Sequence, residues 1–99
     1  MVRAVASPRR CAILRLVWER ELSAGEIAAQ FPISWSAISQ NLGVLRRSGA
    51  ITERRVGTHR LYRADQKALG PLVAVVRSMW LADLETLRDL VERDPEVSS

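Results

Sequence analysis

The sequence predicts a mainly α-helical domain with one small β-hairpin, in the order helix, helix, helix, hairpin, long helix. Apolar residues recur at helical spacing in four segments, and Ser, Gly or Pro stands at the ends of these segments. Two short runs of β-branched and basic residues lie between the third and fourth segments. A chain of 99 residues, 47% of them hydrophobic, provides one domain with a modest core.

The first helix is expected over residues 8–20. Ser7 suits the N-cap because its hydroxyl oxygen accepts a hydrogen bond from a free backbone N–H. Pro8 suits the first helical position, where no backbone N–H is needed. The apolar stripe of this helix consists of Ile13, Leu14 and Val17.

Two further helices are expected after Ser23 and Ser34. Glu26 lies three residues after Ser23, which is the spacing of a capping box, and Pro32 cannot continue that helix. Gly49 predicts a left-handed C-cap at the end of the third helix. The apolar positions of the third helix are Ile38, Leu42 and Leu45.

A hairpin and a long helix complete the chain. Gly57 is expected to supply the turn between the two strands, and Asp65 to cap a short turn after them. Pro71 suits the first position of the last helix. The apolar stripe of this helix contains Leu72, Val73, Val75, Val76, Met79, Trp80, Leu84, Leu87, Leu90 and Val91.

The composition argues against several classes of function. No run of about 18 apolar residues is present, so we expect no membrane span. The first ten residues lack an apolar stretch long enough for a signal peptide, so we expect a cytoplasmic protein. One cysteine and one histidine do not supply a disulfide framework or a conventional metal site. No catalytic cluster is indicated either, and we expect no cofactor and no enzymatic activity.

The positive charge is concentrated in the first two thirds of the chain. Residues 1–63 contain eleven Arg and four Glu, a net charge of +7, whereas residues 64–99 carry a net charge of −3. This asymmetry indicates one surface that faces a polyanion and a separate surface for another partner.

The stretch ISWSAISQNLGVLRR, residues 33–47, has an unusual polar face. A solvated helix face usually carries Glu and Lys, but this one carries hydroxyls, an amide and an indole, followed by two arginines. Two short helices joined by a tight turn, with a hairpin after them, describe a winged helix-turn-helix. In that arrangement the second helix enters the DNA major groove, where hydroxyl and amide groups can read base edges.

We therefore expect one winged helix-turn-helix domain over residues 1–93 and a flexible tail over residues 94–99. Within the domain, the helix-turn-helix spans residues 24–47, the wing spans residues 50–64 and a dimerisation helix spans residues 71–93. The expected partners are double-stranded operator DNA and a second copy of the chain.

Residues 4–64 resemble the ArsR/SmtB family of bacterial winged-helix repressors. SPRRCAIL is similar to the family's opening, ELSAGEIA to its first motif helix, ISWSAISQNLGVLRRSGAI to its recognition helix and RRVGTHRLYRA to its wing. The resemblance implies a homodimeric repressor of the bacterial cytoplasm, associated with the nucleoid when it is bound to an imperfect palindrome near a promoter.

The chain departs from the family pattern at several positions. Ser23 and Gly25 stand near the position of the Cys-x-Cys-type box of metal-sensing members. The last helix lacks the histidines of the family's other metal site, so we expect no metal sensing through these sites. Pro32 replaces the usual glycine of the turn, and Asn41 replaces the common histidine of the recognition helix.

The expected DNA contacts fall into two sets. Base readout is assigned to Trp35, Ser36, Ser39 and Gln40. Contact with the DNA backbone is assigned to Ser34, Gly43, Arg46, Arg47, Arg54, Arg55, Thr58, His59 and Arg60. Because side chains alternate along a strand, only two or three of the wing residues are expected to contact DNA.

Alternatives remain open at some of these positions. Trp35 either stacks at the groove or packs on the preceding helix. Gly43 either permits close approach to DNA or is a tolerated glycine that costs about 1 kcal/mol of helix stability. Arg46 and Arg47 either bind phosphate or pair with a glutamate at position 19 or 21.

The remaining candidates concern assembly and regulation. The expected dimer interface consists of Leu72, Val73, Val76, Met79, Trp80, Leu84 and Leu87, with a purely core role as the alternative. Cys11 is either a buried structural cysteine or a redox-sensing thiol beside arginines. Two alternative functions follow: a protein-interaction module without DNA binding, and a repressor with redox sensing through Cys11. The sequence does not identify a small-molecule effector.

Overall fold

The computed structural model describes the backbone of residues 1–93 and the side chains of residues 1–82 and Glu92. The described residues form a mainly helical domain with a small antiparallel sheet, which confirms the predicted fold class. The elements are α1 (Val2–Val5), α2 (Pro8–Leu16), β1 (Leu22–Ser23), α3 (Ala24–Ala28), α4 (Trp35–Ser48), β2 (Ile51–Val56), β3 (His59–Ala64), α5 (Gln66–Leu69) and α6 (Leu72–Arg93).

Local capping signals place the helix ends. The hydroxyls of Ser7, Ser23 and Ser34 each accept a hydrogen bond from the backbone N–H three residues ahead, at 3.3, 3.1 and 3.1 Å. At α3 the Glu26 carboxylate accepts a return hydrogen bond from the Ser23 N–H at 3.0 Å, which completes a capping box. Gly49 closes α4 at φ +85°, as its sequence position predicts.

Helix α2 ends at Leu16 rather than at residue 20. The carbonyl of Val17 accepts a hydrogen bond from the Ala64 N–H at 2.8 Å. The carbonyl of Trp18 accepts a hydrogen bond from the Gln66 Nε2 at 3.0 Å. These two carbonyls accept hydrogen bonds from residues far along the chain instead of from the next helical turn. The helix therefore ends, and the chain changes direction before β1.

The sheet has three strands in the order β1-β3-β2, whereas the sequence predicted a two-stranded hairpin. Leu22 pairs with Tyr62 in β3, and Ser23 pairs with Leu61. The turn between β2 and β3 contains Gly57 at φ +61°. A positive φ at the first turn position alone is the pattern of a type II′ hairpin turn.

Helix α1 is absent from the sequence prediction. It lies against α2 because two side chains of α2 bind its last carbonyls. The Arg10 Nε donates to the Ala4 carbonyl at 2.6 Å, and the Cys11 thiol donates to the Val5 carbonyl at 2.9 Å. Val5 is thereby fixed in the core.

Helix α6 begins at Leu72, one residue after the predicted start, and its first turns pack on the core. Val76 is fully buried within the single chain, so the prediction that it lies in the dimer interface is wrong. The side chains of Leu84 and Leu87 and the predicted tail at residues 94–99 lie outside the described residues. The partly buried members of the predicted interface are Leu72, Val73, Met79 and Trp80.

No helix in the part of the chain that the structure describes is both long enough and apolar enough to cross a membrane.

Candidate nucleic-acid interface

Helix α4 has one buried side and one exposed polar side. Ile38, Leu42 and Leu45 anchor it to the core, with exposed fractions of 0 to 3%. At 100° per residue, one polar stripe faces directly away from these anchors and a second lies along the flank of the helix between the two. The first stripe consists of Ser36, Gln40, Gly43 and Arg47, and the second of Trp35, Ser39 and Arg46.

The second stripe and the wing enclose a groove of about 620 Å³, here called the α4–wing groove. The groove brings together most of the residues assigned to DNA contact. The residues assigned to DNA contact that line the groove are Trp35, Ser39, Gly43, Arg46, Arg47, Thr58, His59 and Arg60. Ser36 and Gln40 are exposed on the outer side of α4 rather than in the groove lining. The face therefore combines polar groups on a helix with cationic groups along its flank.

Glu53 connects α4 to the wing. Its carboxylate lies 3.4 Å from the Arg46 Nε and 3.5 Å from the Arg60 Nε. The partner of Arg46 is thus Glu53, not the glutamates at positions 19 and 21 considered from the sequence. Both arginine side chains are more than half exposed, so the pairs contribute little to stability and mainly position the guanidinium groups.

Gly43 makes room for the side chain of Arg47. A Cβ at position 43 would lie 3.0 Å from the Arg47 Nη1 and 3.7 Å from both Cζ and Nη2. The Arg47 guanidinium therefore folds back over the helix at the centre of the polar face. This contact is a third role for Gly43, in addition to the two that the sequence suggested.

The strand register divides the wing arginines between two faces. Arg55 is paired with Arg60, and Glu53 is paired with Tyr62 two positions away. Side chains two positions apart on a strand share a face, so all four lie on one face of the wing. This face borders the groove, because Tyr62 lines it. Arg54 lies on the opposite face. The alternation of strand side chains thus limits which arginines can reach a common ligand, as expected.

Arg54 binds Glu21 and not the groove. Its Nη2 and Nε donate to the two carboxylate oxygens of Glu21 at 2.8 and 3.0 Å. This bidentate hydrogen bonding to Arg54 lowers the pKa of Glu21 and raises the pKa of Arg54. The Arg54 guanidinium thus joins the wing to the segment before β1, and its contact with the DNA backbone stays a prediction.

Trp35 and Ser34 lie at the N-terminal end of α4. The Trp35 side chain is 57% exposed and lines the α4–wing groove, which favours the groove role over packing on the preceding helix. The Ser34 Oγ accepts the capping hydrogen bond from the Ala37 N–H at 3.1 Å.

The structure favours the structural role of Cys11. Its side chain is 1% exposed, and the thiol lies 3.4 Å from the Met79 sulfur in addition to its hydrogen bond to Val5. A redox-sensing thiol needs access to its oxidant, which this burial prevents.

Sequence reasoning missed Glu53 and Tyr62 as parts of this surface. Their roles depend on strand register and on the approach of the wing to α4, and neither is visible in local sequence spacing. No group of three His, Cys, Asp or Glu residues that could hold a metal ion occurs among the residues with described side chains.

A short helix pair whose second helix exposes a polar face beside a basic hairpin is a winged helix-turn-helix, a class of DNA-binding domain. Comparison with known proteins agrees with this class. Residues 5–54 match a family model described as a helix-turn-helix domain. The chain belongs to the ArsR-type helix-turn-helix family and is a transcriptional regulator rather than an enzyme.

Three similar proteins illustrate the family. Over 78 residues the chain is 37% identical to the uncharacterized HTH-type transcriptional regulator Rv0081 of Mycobacterium tuberculosis, covering 78% of this chain and 68% of the relative. The crystal structure of Rv0081 matches with a TM-score of 0.67 over 88% of this chain and 87% of that one. The biofilm growth-associated repressor of Agrobacterium fabrum is 29% identical over 88% of this chain and 74% of its own.

The third is the homodimeric winged helix-turn-helix DNA-binding domain of Mb0332 from Mycobacterium bovis, described as a possible ArsR-family transcriptional regulator. It is 26% identical and covers 93% of this chain and 80% of that one, with a TM-score of 0.63.

Proposed function

We propose that the protein is a homodimeric transcriptional repressor that binds a palindromic operator through α4 and the wing. One observation carries this proposal: α4 buries its apolar side completely and leaves a face of hydroxyl, amide and guanidinium groups exposed beside a basic groove. Ser, Gly and Trp on this face stabilise a helix less than Glu and Lys would. Contact with base edges and phosphates gives a reason for polar and cationic groups at these positions.

Base readout is proposed for the exposed polar residues of α4. Gln40 can make two hydrogen bonds to an adenine, because its amide supplies both a donor and an acceptor. Ser36 and Ser39 can each donate to or accept from several bases. Trp35, at the edge of the groove, can contact a thymine methyl group or a sugar.

Phosphate contact is proposed for Arg46, Arg47 and the wing. Arg55 and Arg60 are directly opposed across the strands, and like charges in this position destabilise a hairpin. Glu53 neutralises only part of this charge, because it also lies beside Arg46. A DNA phosphate would relieve the remaining repulsion, so the wing gains stability when it is bound. Thr58 and His59 at the turn complete the proposed contact.

Dimerisation is proposed through α6. The helix exposes Val75 and Leu81, at 46% and 58%, and its backbone continues to Arg93. The homodimeric Mycobacterium bovis relative supports this assembly. Two recognition helices about 34 Å apart would then meet two half-sites one helical turn apart, and the bound dimer would exclude polymerase from an overlapping promoter.

Regulation by metals through the family's known sites is not part of the proposal. Ser23 uses its hydroxyl and its backbone N–H in the capping box, and neither Ser23 nor Gly25 offers a thiolate ligand. We expect that adding Zn²⁺ at micromolar concentration leaves operator affinity unchanged. A change of tenfold or more would contradict this part of the proposal.

Fluorescence anisotropy with labelled DNA tests the repressor proposal. The chain's own promoter region is tiled with duplexes, and the bound duplex is compared with one in which a single half-site is scrambled. We expect a dimer by light scattering, a large loss of affinity with one half-site, and a steep fall of affinity with salt. A monomer in solution, or equal affinity for all duplexes, would contradict the proposal.

Two matched arginine variants test the assignment of the face. Arg47→Ala should weaken binding to all duplexes similarly and reduce the salt slope by about one counterion. Arg63→Ala removes an exposed arginine from the opposite face of the wing and should have a much smaller effect. Equal effects of the two substitutions would indicate non-directional charge attraction instead of the proposed surface.

A further inference from the structure

Glu53 places a negative charge on a surface that otherwise attracts phosphate. Within the described lining of the α4–wing groove it is the only acidic residue, and it stands among Arg46, Arg47 and Arg60. A carboxylate repels the phosphates of DNA, so it opposes the contact that the three arginines favour. Phosphate binding therefore does not account for a glutamate at this position.

The two carboxylate oxygens of Glu53 face different elements of the domain. Oε2 lies 3.4 Å from the Arg46 Nε on α4, and Oε1 lies 3.5 Å from the Arg60 Nε on β3. The Glu53 side chain is 23% exposed, whereas those of Arg46 and Arg60 are 53% and 55% exposed. Both oxygens are thus engaged within the chain, which disfavours a role as the acceptor for a cytosine amino group.

The strand register holds this carboxylate between the two cations. Glu53 is paired with Tyr62, so Arg60 lies diagonally across the ladder on the same face of the wing. Long side chains at such diagonal positions can reach each other. The position of the charge is therefore set by backbone pairing within the hairpin, and the arginine of α4 meets it from the other side of the groove.

We propose that Glu53 is a specificity-determining residue that lowers affinity for non-operator DNA. Its carboxylate occupies Arg46 and Arg60 in the place of a phosphate, and a protein gains specificity when it weakens binding to the wrong partner. Binding to non-operator DNA depends almost entirely on phosphate contacts, so a repulsive charge acts there in full. This role rests on the proposed function, namely DNA binding by the α4–wing groove.

At the operator, two effects of Glu53 oppose each other. Its charge repels the phosphates, but its two ion pairs hold the guanidinium groups in one geometry before DNA arrives. Ordering these groups in advance reduces the entropy that is lost on binding. Because base contacts fix the position of α4 on the operator, this geometry is useful there and has little value on unrelated DNA.

Glu53→Gln tests the proposal because it removes the charge and keeps the shape of the side chain. Anisotropy with the full chain compares the operator duplex with an unrelated duplex between about 0.05 and 0.3 M salt. One additional counterion, with a slope of about 0.9, should raise affinity for the unrelated duplex about fivefold at about 0.15 M salt and about fifteenfold at about 0.05 M. Operator affinity should change less than about twofold at about 0.15 M salt, so the specificity ratio falls.

Two control variants separate the position of the charge from its sign. Glu53→Asp keeps the negative charge and should keep the parent's weak affinity for the unrelated duplex. Glu19→Gln changes the net charge by the same amount at an exposed position outside the groove lining, and it should leave the specificity ratio unchanged. Equal effects of Glu19→Gln and Glu53→Gln would overturn the proposal, because net charge alone would then explain the result.

Other outcomes for Glu53→Gln also contradict the proposed role. Weaker binding to both duplexes would mean that the carboxylate only supports the shape of the groove. Lost discrimination at a single base pair, with unchanged affinity for the unrelated duplex, would assign Glu53 to base readout. A parent chain without preference for any duplex would contradict the proposed function itself. A parent that prefers its operator, with the same ratio in Glu53→Gln, would contradict the role of Glu53 alone.

Discussion

Gly43→Ala is expected to stabilise the fold and weaken DNA binding at the same time. Glycine in a helix interior costs about 0.8 to 1.0 kcal/mol relative to alanine. The new methyl group would lie 3.0 Å from the Arg47 Nη1, which is too close by a few tenths of an ångström. The atom that must move is the end of an exposed, flexible side chain, so the movement costs little. The net gain in the free energy of unfolding is about 0.5 to 1 kcal/mol.

The same movement displaces Arg47 from the polar face. A hydrogen bond between charged groups contributes about 1.5 to 3 kcal/mol, so partial loss of one phosphate contact weakens binding about tenfold. The assays are thermal unfolding at fixed protein concentration and anisotropy with operator DNA. A rise of about 4 °C in the melting temperature is expected, because about 1 kcal/mol shifts a domain of this size by 4 to 8 °C.

A double-mutant cycle identifies the cause. If the methyl group acts through Arg47, Gly43→Ala should have little further effect on affinity in an Arg47→Ala background. An undiminished effect there would mean that the methyl group itself collides with DNA. A lower melting temperature, or unchanged affinity of the single variant, would refute the reasoning about the contact between position 43 and Arg47.

Three other substitutions test the fold. Leu45→Ala removes a fully buried side chain and should lower the free energy of unfolding by about 2 to 5 kcal/mol in urea titrations; a loss below about 1 kcal/mol would contradict its core position. Gly49→Ala places a residue that carries a Cβ at a backbone φ of +85° and should lower the free energy of unfolding by about 1 to 2 kcal/mol. An unchanged free energy of unfolding would contradict the left-handed cap. Arg54 lowers the pKa of Glu21 below its usual 4.5, so this pair stabilises the fold above pH 4.5 and loses its effect as the pH falls through the lowered pKa. Thermal unfolding across this range should show Glu21→Gln less stable than the parent at pH 7 but not at low pH, and a constant difference would exclude the pair as the cause.

Local signals in the sequence predicted most helix boundaries. Capping by Ser7, Ser23 and Ser34 depends on residues within one turn, and so does the left-handed residue at Gly49. These features are therefore readable without knowledge of the tertiary structure. The anchoring side of α4 was readable for the same reason, because helical spacing alone separates it from the polar side.

The errors arose where distant contacts decide the structure. Strand β1 is two residues long and exists through its pairing with β3. Helix α1 is one turn long and depends on the Arg10 hydrogen bond to the Ala4 carbonyl. The pairing of Arg54 with Glu21 was not foreseen, because only the fold brings these two residues together. Val76 was assigned to the interface because periodicity does not distinguish burial against the chain's own core from burial against a partner.

The most direct test of the central claim is the sequence specificity of Gln40→Ala. Anisotropy gives the ratio of affinities for the operator and for duplexes with one base pair changed in each half-site. Gln40→Ala is expected to lower this ratio about 5- to 150-fold at one position, because a bidentate base contact contributes about 1 to 3 kcal/mol of discrimination. Gln30→Ala, at an exposed position outside α4, should keep the parent ratio. An unchanged ratio for Gln40→Ala at every position would contradict the claim that the outer face of α4 reads base edges.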